Sequence, residues 1–114
     1  MPVQYSISLP DPAKARGADA DLSFTANGAD AFAQQLQSAL ATPELFERWR
    51  SRQDDPDEVD PAFGVVDPAA SVTGEQRDLR INLLATTSLP SEIFKHRLRL
   101  LAGSHWELRD VQPA

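Results

Sequence analysis

A chain of 114 residues with 41% hydrophobic and 25% charged side chains holds enough apolar material for one core and too much for a disordered polymer. The net charge of −6 excludes a uniformly basic nucleic-acid binder, and no apolar run approaches the ~18 residues of a helical membrane span. Zero cysteine excludes disulfides and thiolate metal sites.

Residues 3–9 alternate, with Val3, Tyr5, Ile7 and Leu9 on one side and Gln4, Ser6 and Ser8 on the other. This is the period of a strand with one buried face. Pro10 to about Asp19 is a loop by its prolines and glycine. Leu22, Phe24 and Ala26 predict a second short strand over 21–26, pairing antiparallel with the first. Asn27 or Asp30 then suits the start of a helix whose Phe32, Leu36, Ala39 and Leu40 recur at helical spacing. Thr42-Pro43-Glu44 is a second start signal, a cap followed by proline at the first helical position, so the helix over 30–50 is kinked or divided there. Leu45, Phe46 and Trp49 form the apolar stripe of the second part, and Arg48, Arg50 and Arg52 lie near its C-terminal end, where cations are favoured.

Residues 53–61 carry five acids and two prolines and predict a solvated, mobile loop. Residues 63–66 and 70–73 are weak strand candidates, with a turn at 74–76. Over 78–86, Leu79, Ile81, Leu83 and Ala85 share one strand face, and Arg80 and Asn82 the other, where Leu84 also falls. Ser88 and Ser91 suit the cap of a helix that runs to Ala102 and buries Ile93, Phe94, Leu98 and Leu101, leaving Lys95, His96 and Arg99 wet. Gly103 suits the stop. A last strand over 105–111 places Trp106 and Leu108 inward.

These elements predict one α+β domain over 1–114: a mixed sheet of four or five strands with helices on one face, in the order β-β-α-β-β-α-β. The strand–helix–strand stretch at the end predicts a right-handed parallel crossover. With the first strand set aside, the order resembles the βαββαβ arrangement of ferredoxin-like folds. The uncovered sheet face would meet solvent or a second copy, which opens the way to a homodimer.

The charge is uneven. Residues 1–61 hold 11 acids and 5 bases, and residues 62–114 hold 6 of each. The acidic half repels phosphates, and Tyr5, Phe24 and Trp106 lie on apolar faces instead of offering stacking surfaces, so no nucleic acid is expected. The N-terminus shows no basic-then-apolar secretory pattern, which gives a cytoplasmic expectation. Nine arginines against two lysines, with abundant alanine, suggest a bacterial source.

Candidate chemistry is sparse. His96 and His105 lack any metal-ligand spacing, and His96 is expected in solvent, paired with Glu92 four residues earlier. The acidic loop lacks the glycine and distal glutamate of a calcium loop. No Gly-x-Ser-x-Gly elbow occurs. Hence no catalytic residue, metal or cofactor is expected. Arg80 and Arg109 could hold an anion, or could pair with Glu107 and Asp78 across strands. Trp49, the residue type enriched at interface centres, stands just before the acidic loop. The leading expectation is a small acidic, non-enzymatic protein of adaptor, immunity or accessory type. It would meet a protein partner through Trp49, Asp54, Asp55, Asp57 and Glu58. The alternative is a homodimeric sensor of a small ligand or anion, using Arg80 and Arg109.

Overall fold

The strand with the cleanest alternation, β1 (Val3–Leu9), lies inside the sheet. In the computed structural model, which describes residues 2–114, β1 pairs antiparallel with β3 (Arg80–Thr87) on one side and β4 (Glu107–Pro113) on the other. Strand β2 (Ser71–Arg77) pairs antiparallel with β3 and completes the order β2-β3-β1-β4. The sheet is antiparallel at every junction, so the expected mixed sheet is corrected. Strands β3 and β4 do run parallel, but β1 occupies the place between them. The crossover helix therefore spans an intervening strand.

Register explains the burial. Tyr5 faces Ala85, Ile7 faces Leu83 and Leu9 faces Ile81, and all six side chains are buried. Helix α1 (Ala29–Ala41) buries Phe32, Ala33, Leu36, Ala39 and Leu40, and α3 (Ser91–Ala102) buries Ile93, Phe94, Leu98 and Leu101, in the same core. The Phe94 ring stacks on Tyr5 at 4.1 Å, and the Tyr5 hydroxyl donates to Leu89 O. Burial pushes the Tyr5 phenol above its usual value. Strand β2 passes so close under α1 that a Cβ on Gly74 would lie 2.4 Å from Ala29 O, which explains a glycine inside a strand.

Pro43 divides the helical region: α1 ends at Ala41 and α2 covers Glu44–Ser51. The expected caps differ. Gly28 precedes α1 and Pro43 precedes α2, neither with a side-chain bond, while Thr42 Oγ1 donates backward to Ser38 O. Pro90 stands where Ser88 or Ser91 was expected to cap α3. Gly103 ends α3 with φ +64, as its position after the last turn predicts.

Four further expectations fail for identifiable reasons. Residues 21–26 form no strand, although Leu22, Phe24 and Ala26 are all buried. Both sides of β1 are already taken, so this segment runs beside α3 instead. Phe24 N–H donates to Leu101 O, and Thr25 and Ala26 N–H donate to Gln35 Oε1. Residues 61–64 form a short 3₁₀ turn where a strand over 63–66 was expected. The turn expected at 74–76 lies inside β2; the hairpin turns at Asp78-Leu79, with Asp78 at φ 56 and Leu79 86% exposed at its tip. The last strand begins at Glu107, which leaves Trp106 half-buried before it, its Nε1–H donating to Gly103 O.

Candidate functional site

Two charged surfaces lie on different layers. The first is the acidic segment between α2 and β2, on the helical side. Asp54, Asp55, Asp57 and Glu58 are all exposed, and none forms an ion pair among the described residues. The segment is not featureless. It makes 3₁₀ turns at Pro56–Glu58 and Pro61–Gly64, and Asp60 accepts from Ala62 N–H. Arg50 Nη1 donates to Pro56 O, and Gln53 Nε2 donates to Trp49 O.

Both ends of this segment rest on one ring. Trp49, at its start, meets the His96 imidazole edge-on at 4.6 Å, and Phe63, at its end, meets the same imidazole at 5.0 Å. Phe46 adds a tilted contact to Trp49 at 5.9 Å. His96 is therefore a half-buried aromatic anchor, and its expected pairing with Glu92 is corrected: no such ion pair forms, and Nδ1 is buried without a partner. Burial first, then the positive Arg99 and Arg97, hold its pKa below the usual histidine value.

Beneath this anchor lies Arg97, 1% exposed and without a carboxylate partner among the described residues. Its guanidinium donates to Ala39 O, at the end of α1, and to Phe63 O and Val65 O, on the far arm of the acidic segment. Burial lowers its pKa. Asp67 fastens the next turn: its carboxylate accepts from Thr87 Oγ1, Ser88 N–H and Ala69 N–H, which keeps its pKa below the usual carboxylate value. Neither residue stands out as a binding candidate in the sequence. Arg97 does leave one signal there, because it lies four residues after Ile93 and four before Leu101, inside the buried stripe of α3.

The arginines around Trp49 engage groups of their own chain at the surface. Arg52 pairs with Asp19 at 2.9 Å and Asp21 at 2.6 Å, Arg48 donates to Asp21 O, and Arg50 pairs with Glu47 at 3.6 Å. None of these arginines pairs with Asp54, Asp55, Asp57 or Glu58.

The second surface is the sheet face that no helix covers. Arg80 and Arg109 both line a concavity of about 690 Å³ there, together with Ser6, Asn82, Leu84 and Glu75. The expected pairing across strands does not form: Arg109 pairs at 3.2 Å with Glu107 two residues earlier on its own strand, and Arg80 forms no ion pair among the described residues. His105 is exposed at the start of the last connection. Among the described residues no group of three or more His, Cys, Asp or Glu side chains is placed to hold a metal ion, and no helix is long and apolar enough to cross a membrane.

No protein-family model, curated protein or solved structure matches this chain.

Proposed function

We propose that this chain is a non-enzymatic protein-binding module that presents its acidic segment to a basic protein surface in the cytoplasm. The observation that carries the reading is the set Asp54, Asp55, Asp57 and Glu58: four exposed, unpaired carboxylates on a segment whose two arms are held by His96 and Arg97. A charged segment already held in shape loses less conformational freedom on binding than a free tail. Like charges gathered on one patch also steer an oppositely charged partner and set the orientation of encounter. Trp49 contributes its exposed edge at the rim while its body anchors the segment. The alternation β1-α-β2-β3-α-β4, with sheet order β2-β3-β1-β4, supports a ferredoxin-like description of the scaffold once the absent strand at 21–26 is removed.

The test compares the native chain with the variant carrying Asp54→Asn, Asp55→Asn, Asp57→Asn and Glu58→Gln. Both are immobilised and exposed to native lysate at about 0.05 M and 0.15 M salt, conditions that change the screening length. The expected result is a near-stoichiometric basic protein that the variant fails to retain and that higher salt releases. The purified pair should then bind in calorimetry. Equal retention by the two chains, or none by either, overturns the proposal.

A further inference from the structure

The uncovered sheet face carries a second, independent feature. Strand β4 slips register against β1: Ser6 faces Asp110, whereas Ile7 faces Leu108. Arg109 is the extra residue, opposite nothing on β1. A bulge of this kind re-aims a side chain and interrupts the ladder locally. Here it sets Arg109 at the rim of the same concavity that Arg80 enters from β3, with β1 lying between the two strands.

The floor is polar. Ser6 and Asn82 line it, and Ser8, 1% exposed on this otherwise open face, has its hydroxyl 3.4 Å from Arg80 Nη1. That long contact is the one side-chain bond of the Arg80 guanidinium among the described residues. Arg80 forms no ion pair among the described residues. Glu75, the acid of the lining, is engaged by Arg77 at 2.5 Å, and Glu107 by Arg109. Glu107 and Asp110 stand on this face opposite Ser8 and Ser6, so its charges balance, and Arg80 is the lining guanidinium without a carboxylate partner among the described residues. Leu84, 38% exposed in the middle of the sheet, adds one apolar contact.

We propose that this concavity binds a small molecule through a planar or tetrahedral oxyanion, a carboxylate or a phosphate, gripped between Arg80 and Arg109. A guanidinium offers parallel N–H donors that match either oxyanion in bidentate fashion, and it stays charged. The Ser6 hydroxyl and the Asn82 amide of the lining would offer a bound oxyanion neutral donors, while the buried Ser8 hydroxyl accepts from Arg80 and positions its guanidinium. Leu84 would cover a short carbon body. Nothing in this site depends on the acidic segment, which lies on the helical layer.

The test is a pair of amide-shift titrations of the ¹⁵N-labelled chain, one with inorganic phosphate and one with succinate, at ionic strength matched with sodium chloride. The expected result is saturable shifts confined to Ser6, Ser8, Asn82, Leu84 and Arg109 with at least one probe, and the tighter probe names the source of the oxyanion. Arg80→Gln and Arg109→Gln should each weaken binding about tenfold. Arg48→Gln, the same charge change on exposed α2 and away from this face, should leave it within about twofold. Non-saturable shifts, shifts spread over the surface, or equal loss in Arg48→Gln would overturn the proposal. So would concentration-dependent dimerisation that shifts the same amides without either probe, because a second copy would then be the occupant.

Discussion

The acidic segment and the open sheet face both expose charge, but they are built by opposite means. On the sheet face, position comes from the ladder. Arg80, Asn82 and Ser6 stand where the register puts them, and their side chains make few bonds of their own. On the helical side the segment from 52 to 66 has no ladder, and its shape comes from side chains: the His96 ring under Trp49 and Phe63, the Arg97 guanidinium under Phe63 and Val65, and the Asp67 carboxylate beyond them. Backbone-built surfaces leave their side chains free for a ligand. Side-chain-built surfaces spend buried polar groups on holding shape, and a single substitution can release them.

The sharpest way to break that contrast is Arg97→Ala. It removes a buried guanidinium, leaves the Ala39, Phe63 and Val65 carbonyls without their donor, and opens a void under the anchor. The expected loss is about 3–4 kcal/mol in urea unfolding. The amides of 62–66 should exchange with solvent before those of β1. A loss under about 1 kcal/mol would mean that the segment is held by something other than this clamp.

A smaller effect should appear against pH. The folded-state pKa of His96 lies below its ordinary 6.5, so the unfolded chain binds the proton more readily. The stability that neutral His96 contributes is fully present above about pH 6.5 and drains away as pH falls toward its folded value. Protonation would place a third positive charge beside Arg97 and Arg99, with Trp49 and Phe63 on its other sides. Asp67, also lowered, acts in a separate window: its contribution is present above its ordinary 3.8 and is lost only as pH falls further. Unfolding curves between pH 7 and pH 5 should therefore show a slope that His96→Phe removes, with the slope below pH 4 retained. An unchanged slope between pH 7 and pH 5 would place the titrating group elsewhere.

Much of this scaffold is legible in the chain. Residues 3–9 and 81–87 show period two because one sheet face is buried and the other is bare, and α3 shows its apolar stripe for the same reason. Residues 21–26 show why such signals stop short of topology. Alternation reports which side chains are buried, and Leu22, Phe24 and Ala26 are buried, but pairing depends on whether an edge of β1 is free. The sites were legible as composition only. The acids at 54–58 and the arginines at 80 and 109 were visible, whereas the residues that shape the acidic surface were not. Asp67 reads as turn punctuation before proline because its partners lie about twenty residues downstream. His96 reads as a wet helix position because its covering rings come from two other segments.

The smallest expected effects separate the two surfaces by sign. Both sets of charged groups are exposed, so neutralising them should move stability by no more than about 0.5 kcal/mol. Yet the whole chain repels itself at −6, and the two changes push that repulsion in opposite directions. Neutralising Asp54, Asp55, Asp57 and Glu58 takes the net charge from −6 to −2, whereas Arg80→Gln takes it from −6 to −7. The first should raise the melting temperature slightly at low salt and the second should lower it slightly. Both differences should vanish near 1 M salt, where the screening length falls to about 3 Å. A loss of stability in the acidic variant that persists at high salt would show those carboxylates to be structural. The segment would then be holding itself together through its acids, and Arg97 and His96 would no longer account for its shape.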